Sequence, residues 1–398
     1  AWSIERDGNM VDGEDLFTVT DKHLDTGLRG IPVGTCQTSY VDPFEGIHYV
    51  GYPVEDLVDL EEEDVIFLLM YKRLPSDHES KEFRAELAQR GKNIPTGALR
   101  VLESLTPGSG HPMDWLSIGI MALGTAETTG DTRADAMNLI ARMPELMARI
   151  FRLRNGVKDK LKPRKPELGL VENFVHMMGY EGERAEKVTH VLRFFFILHM
   201  DHGGGNLSTF SGKAVASGWA SIYSSLSSAM NALSGPLHGR ANQSCLEFVQ
   251  RIGTSNHKEI EEFVREELAN RRPIYGFGHG VLRAEDPRAR LLIELGEEIC
   301  PDDDNFQIVK ALREVVPPIL SEIPKISNPY PNVDIASGSL LNSVGFRMPE
   351  YYTTFFGWAR VAGISAQILD ERNARGGRGT PIYRPKYIPK NQPHRRLE

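Results

Sequence analysis

The sequence predicts a mainly α-helical chain with a few short strands near its N-terminus. Three observations predict this. After Val54, apolar residues recur at three- and four-residue spacing between Gly, Pro and Asp, the mark of amphipathic helices. Residues 1–55 lack that spacing and read as irregular and β-like. Apolar residues make up 40% and charged residues 25% of 398, ordinary for a soluble globular protein with one large or two medium domains.

Taken in order, Cys36 to Tyr40 and Ile47 to Val50 flank Asp42-Pro43-Phe44-Glu45-Gly46, a hairpin signature. Helices are expected near 55–72, 80–91, 113–124, 132–155 and 169–178. The basic stretch Lys158 to Lys165, broken by Pro163 and Pro166, reads as a solvated loop. Thr189 to Met200 is expected as a helix, with Leu192, Phe195, Phe196 and His199 on one face. It runs into Asp201-His202-Gly203-Gly204-Gly205-Asn206. One long helix is expected from about Val215 to Leu233, ended by Gly235-Pro236. Further helices begin near His238, carry Ile260 to Leu268, follow Asp302 to Asp304, cover Leu340 to Gly345, and run from Thr353 to Leu369. Arg372 to Arg384 is Gly/Arg-rich and reads as extended. No repeat of 20–50 residues is visible.

The stretch from Tyr275 to Arg288 stands out. Glycines flank Phe277 and another follows His279, so backbone can approach a ligand or a second segment closely. Asp286-Pro287 is a helix start, Asp as N-cap and Pro at the first helical position. Arg288 falls in the first turn, where a helix N-terminus favours anions. A histidine and an arginine at such a junction suit an anionic small molecule. An ordinary solvated loop has the same local pattern. As a dinucleotide fingerprint Gly-x-Gly-x-Gly is weak.

Several function classes are disfavoured. A net charge of −8 gives no general basic field for nucleic acid or anionic membrane. No apolar run approaches the ~20 residues of a membrane span. Cys36, Cys245 and Cys300 show neither disulfide nor metal spacing, which fits a reducing compartment. His199-x-x-His202 lacks a third ligand at suitable spacing, so no metal is expected. The first residues show no secretory pattern. Cytoplasm is the expected location, and the mitochondrial matrix is the alternative.

Taken singly, His238, Asp334 and Arg384 each have a structural explanation. Their order along the chain is more specific. Gly235-Pro236-Leu237-His238-Gly239, then Gly276-Phe277-Gly278-His279-x-Val281-x-Arg283-x-x-Asp286-Pro287-Arg288, then Pro331-Asn332-Val333-Asp334 resemble the citrate synthase family. So do His111-Pro112-Met113-Asp114, Leu198-His199-Met200-Asp201-His202 and Tyr383-Arg384-Pro385-Lys386. The resemblance spans nearly the whole chain. It implies a large domain, residues 1–238 plus 339–398, and a small domain, 239–338, that closes over the substrates. It also implies a homodimer in which Arg384 completes the partner's site.

The implied reaction condenses acetyl-CoA with oxaloacetate through an enol or enolate, then hydrolyses citryl-CoA. Asp334 matches the base, His238 the donor to the thioester oxygen, and His279 the group that polarises the oxaloacetate ketone. A helix N-terminus following His238 is expected to depress its pKa and keep it neutral. Arg288, Arg360 and Arg384 match the carboxylate clamps, which suits the planar guanidinium fork. His202 matches a further oxaloacetate contact, supported by Asn206. Ile274, Tyr275, Gly276, Phe277 and Gly278 match the adenine-binding turn, with Arg283, Lys325 and Asn332 also assigned to CoA. No metal or cofactor is implied, since acetyl-CoA is a substrate. Three features depart from the family pattern. Arg240 follows His238-Gly239 and is expected to point to solvent. Val50 replaces a common arginine. Gly203–Gly205 suggests a mobile loop. Two rivals remain: 2-methylcitrate synthase, which uses propionyl-CoA, and a catalytically inactive scaffold relative. His199 and Asp201 look more like the citrate enzymes, and the intact Asp334, His238, His279 and three arginines argue against the scaffold.

Overall fold

The structure is a computed structural model describing residues 17–91 and 93–388, with the backbone of 5–6 and 9–10. Residues Ala1–Cys36 form one compact unit and Gln37–Glu398 a second. In the first, strands β1 (Glu5–Arg6) and β2 (Asn9–Met10) pair antiparallel. The second opens with the expected hairpin. Strands β3 (Ser39–Asp42) and β4 (Gly46–Tyr49) pair antiparallel with Val41 opposite Ile47, and β5 (Tyr52–Pro53) adds to β4. The Asp42 carboxylate closes the turn by accepting from the N–H groups of Phe44 (2.8 Å) and Glu45 (2.9 Å).

Helices make up most of the rest: α1 (Glu62–Tyr71), α2 (Asp77–Arg90), α3 (Thr96–Glu103), α4 (Pro112–Glu127), α5 (Thr132–Arg154) and α6 (Leu170–Met178). They continue with α7 (Gly182–His199), α8 (Leu207–Ser217), α9 (Ile222–Leu233), α10 (Ala241–Ile252) and α11 (His257–Ala269). The last four are α12 (Pro287–Ile299), α13 (Asp304–Ser321), α14 (Asp334–Ser343) and α15 (Tyr352–Gly377). Their starts follow local capping chemistry. Ser76 and Glu79 form a capping box on α2, and Asp286 caps α12 ahead of Pro287. No helix among the described residues is long and apolar enough to cross a membrane.

Three expectations are corrected. The single helix from Val215 to Leu233 is two: Gly218 ends α8, Trp219 takes a left-handed φ of 61°, and the Ser221 side chain caps α9. Apolar spacing carried across the break hid it. Arg164 is not a freely solvated loop residue, since it donates to the Ala141 carbonyl at 2.6 Å. Residues 372–377 still belong to α15, which kinks at Ala374–Gly376 before the extended tail.

Helix α15 is buried nearly all round, with Tyr352, Phe355, Trp358 and Ile364 at most 2% exposed. It packs on α1, α4, α5, α7, α8 and α9. Gly363 makes this possible beside the α7 terminus, where a Cβ would lie 2.3 Å from the Met200 carbonyl oxygen. Helices α10 to α14 pack largely on one another, and α12 and α14 also touch α7.

Candidate active site

The Tyr275–Arg288 stretch folds against a second segment. The Gly278 N–H donates to the Tyr330 carbonyl, and the Asn332 N–H donates to Gly276, both at 2.9 Å. Asn332 Nδ2 reaches the Gly278 carbonyl at 2.9 Å, while its Oδ1 accepts from the Asp334 N–H at 3.0 Å. Gly276, at φ 81°, has no room for a side chain: a Cβ would sit 2.9 Å from Cys245 Sγ. This lock fixes His279 relative to Asp334, the first residue of α14.

His279 Nδ1 accepts from the N–H groups of Val281 and Leu282, each at 3.0 Å. Both bonds require a bare Nδ1, so the neutral ring carries its proton on Nε2. Burial, reinforced by the Arg288 charge, pulls the ring down to about 4. His202 lies beside it, the ring centroids 5.4 Å apart. Burial, then Arg288 and Arg360, hold His202 well below the usual histidine range.

Arg288 is 3% exposed and paired with Asp286, itself 1% exposed. Nε meets Oδ1 at 3.0 Å and Nη2 meets Oδ2 at 2.7 Å, a bidentate bridge. Burial alone would raise the Asp286 carboxyl, but Arg288 holds it below its usual value. Arg360, on α15, is 2% exposed. Its Nε donates to the His199 carbonyl at 3.0 Å, and its fork stacks 4.7 Å from the Phe356 ring centroid. The terminal nitrogens of Arg360 have no hydrogen-bond partner among the described residues. Burial lowers its pKa to about 10, against the pull of Asp201. Two guanidinium groups held dry make an anion site.

His238 lies in the short link between α9 and α10. The helix expected to depress its pKa is the one that follows; the N–H that reaches Nε2, at 3.1 Å, comes from Ser208 in the first turn of α8. Chain order cannot show this, because the α8 terminus comes alongside only in the folded chain. A bare Nε2 leaves the proton on Nδ1. Burial, then Arg360, lowers the ring to about 4, the expected direction. Asp334 moves the other way: burial raises its carboxyl to about 6, opposed by Arg288 and reinforced by Asp286.

Other assigned residues take different positions. Asn206 caps α8 and uses its amide on the carbonyls of His202 (3.2 Å) and Gly203 (3.0 Å), so it acts on the His202 loop. The Gly203–Gly205 loop is tied further by Ser39 Oγ, which accepts from the Gly203 N–H at 2.7 Å. Arg283 is exposed, its Nη1 on the carbonyls of Val281 (2.9 Å) and Leu282 (2.8 Å). Lys325 is exposed, and Ile274, Tyr275 and Phe277 are half-buried. Arg384 is exposed in a tail pinned by Tyr383, whose hydroxyl donates to Glu371 at 2.7 Å. Arg240 is half-buried with Nε on the Ser234 carbonyl at 2.6 Å, so its expected solvent orientation is corrected.

Sequence reasoning missed the frame around Asp201, which is fully buried. Thr38 and Ser39 donate to Oδ2, and the Gln367 amide Nε2 donates to Oδ1 at 2.8 Å. The Tyr49 hydroxyl accepts from the Asp201 N–H at 3.2 Å and donates to the Ile197 carbonyl at 2.9 Å. No local signal marks these four residues. The pairing of Asp286 with Arg288 was within reach, since the two are only two apart at a helix start.

Chemically, the site offers two neutral imidazole donors, a carboxylate made more basic by burial, and two dry guanidinium groups. That set suits proton abstraction next to a carbonyl on an anionic substrate.

Comparison with known proteins finds matches over nearly the whole chain. Residues 27–386 match the family model described as citrate synthase, C-terminal domain. Mitochondrial citrate synthase 4 of Arabidopsis thaliana is 35% identical, over 94% of this chain and 83% of its own. Mitochondrial 2-methylcitrate synthase of Yarrowia lipolytica is also 35% identical, over 95% and 85%. The crystal structure of citrate synthase from Thermotoga maritima superposes with a TM-score of 0.79 at 31% identity, covering 92% of this chain and 96% of that one.

Proposed function

The chain belongs to the citrate synthase family, and on that premise we propose the residues by which it condenses acetyl-CoA with oxaloacetate and hydrolyses citryl-CoA to citrate and CoA. Asp334 takes a proton from the acetyl methyl. A carboxylate raised to about 6 is a stronger base than one in water and remains ionised at neutral pH. His238 donates Nδ1–H to the thioester oxygen and stabilises the enol or enolate. His279 donates Nε2–H to the oxaloacetate ketone, whose carbon the enol attacks. Arg288, Arg360 and Arg384 of the partner subunit bind the carboxylates of oxaloacetate, with His202 as a further contact and Asn206 acting through it. Ile274 to Gly278, Arg283, Lys325 and Asn332 take CoA. Water then cleaves the thioester, and no cofactor enters.

The observation that carries this reading is the pair of fixed tautomers. Backbone N–H groups occupy Nε2 of His238 and Nδ1 of His279, so each ring presents a neutral N–H donor. Neutral donors suit an enolate mechanism, because they stabilise developing charge without protonating the base first. Residues 239–338 are proposed as the smaller, closing domain on the remainder; the mutual packing of α10 to α14 supports this. The names of the Arabidopsis thaliana and Yarrowia lipolytica relatives say mitochondrial, which supports a mitochondrial location ahead of the expected cytoplasm, while a relative from Saccharomyces cerevisiae is named as peroxisomal.

The test is free-thiol release from acetyl-CoA or propionyl-CoA with oxaloacetate. Oxaloacetate-dependent release, faster with acetyl-CoA, is the expected result. Faster release with propionyl-CoA would assign 2-methylcitrate synthase, a reading the Yarrowia relative keeps open. One methylene changes binding by only about 1–3 kcal/mol in an apolar pocket. Silence with both would remove the assignment.

The cross-subunit role of Arg384 has its own check. Arg384→Ala and Asp334→Ala are each expected to be nearly inactive. After subunit exchange, mixed dimers carry one site with both residues intact, restoring about a quarter of wild-type turnover. No recovery despite verified exchange would place Arg384 outside the partner's site.

A further inference from the structure

Lys213, on α8, is only 4% exposed and takes no part in the chemistry above. A buried ammonium group needs a partner. Its Nζ lies 3.0 Å from Glu371 Oε1 on α15. It also donates to Gln367 Oε1 at 3.4 Å, one helical turn earlier on α15. Contacts run on from there in two directions. Gln367 Nε2 donates to Asp201 at 2.8 Å and to the Gly203 carbonyl at 3.1 Å, on either side of His202. Glu371 Oε1 accepts from the Tyr383 hydroxyl at 2.7 Å, and its carbonyl accepts from the Thr380 N–H at 2.9 Å. Burial and Glu371 push the Tyr383 phenol up, so it stays protonated and donates. Helix α8 holds Tyr383 as well. Phe210 stacks on its ring with centroids 5.8 Å apart, and Ser217 Oγ accepts from its N–H at 3.1 Å. Phe210, Lys213 and Ser217 share one face of α8 at helical spacing. The next residue in the tail is Arg384, which is exposed.

We infer that Lys213 is a positioning residue for the partner subunit's active site: by fixing Glu371 it holds Tyr383, and so Arg384, in the pose that reaches across. This rests on the cross-subunit role proposed for Arg384. An arginine on a loose tail would lose conformational freedom each time it closed on a carboxylate, and that loss weakens binding. An anchor one residue away removes most of the loss in advance. Lys213 is the buried counter-charge that keeps the Glu371 carboxylate turned inward, where it meets the Tyr383 hydroxyl. The Gln367 branch ties the same lysine to the frame around its own His202. One buried cation thus serves the substrate contacts of two sites.

The first test reads the tail itself, by hydrogen exchange in the full-length protein, and needs no activity. Lys213→Met keeps the side-chain length and removes the charge. Exchange at the Thr380 and Tyr383 amides should rise about tenfold, and Lys213→Arg should restore most of the protection. Unchanged exchange at Tyr383 in the folded Met variant overturns the anchor. If Lys213→Met fails to fold, Tyr383→Phe cuts the same link beyond the buried pair and replaces it in both tests. The second test uses heterodimers isolated with two affinity tags. In one, Lys213→Met and Asp334→Ala sit on different subunits. Its working site has the altered lysine in its own subunit but takes Arg384 from an intact tail, so its KM for oxaloacetate should match wild type. In the other, both changes sit on one subunit and the partner is wild type. Its working site takes Arg384 from the altered tail, so KM should rise about tenfold while kcat per site stays within about threefold. A raised KM in the first heterodimer, or the same KM in both, overturns the cross-subunit role. If mixing Arg384→Ala with Asp334→Ala gives no recovery, the functional reading of Arg384 falls and takes that role with it; hydrogen exchange still decides the anchor.

Discussion

Asp334→Ala is expected to lower kcat by about 10³, within the 10²–10⁴ that general-base catalysis contributes, while oxaloacetate binding by calorimetry stays near wild type. A kcat within about tenfold of wild type would remove Asp334 from the base role. Asp334→Asn carries a second signature in stability. The folded-state pKa is raised, from 3.8 to about 6. A raised acid contributes its stability below the unfolded pKa and loses it as pH rises through the folded value. Above pH 6 the wild type therefore holds an unfavourable buried charge. Replacing it with Asn should stabilise the inactive protein by roughly 1–3 kcal/mol at pH 7.5, a few degrees in Tm. The gain should disappear near pH 4. A Tm difference that does not change with pH would mean that the charge is not the cause.

Arg288→Ala is expected to do two kinds of damage. It leaves Asp286 buried without its bidentate partner, costing about 3–5 kcal/mol of stability. It also removes a carboxylate clamp, worth about 1.5–3 kcal/mol for a charged hydrogen bond, and so weakens oxaloacetate binding tenfold or more. Adding Asp286→Asn separates the two. Asparagine still caps α12 but carries no charge. The double variant should regain most of its denaturant resistance without regaining oxaloacetate affinity. If affinity returned together with stability, Arg288 would be a structural residue rather than a substrate ligand.

Much of the local structure was legible in the sequence. The hairpin at Asp42–Gly46, the N-cap at Asp286-Pro287 and the helical faces of α7 and α11 are set by neighbours within about four residues, and spacing and capping rules describe them. The helix break at Gly218-Trp219 was missed because apolar spacing continues across it. The ordered motifs around His238, His279 and Asp334 pointed to the site's chemistry without the structure.

By itself, then, the sequence determined the helical class and the family, and it named the candidate reactive groups. The tertiary structure decided which nitrogen of each histidine is bare. Ser208, 30 residues before His238, fixes one tautomer, while the turn at Val281-Leu282 fixes the other. It also decided that Asp201 is bound by Gln367, 166 residues away, and that Asp334 is buried enough to be a stronger base. The physical reason is range. Caps and periodicity act between near neighbours, whereas desolvation and long-range hydrogen bonds exist only once distant segments have excluded water together.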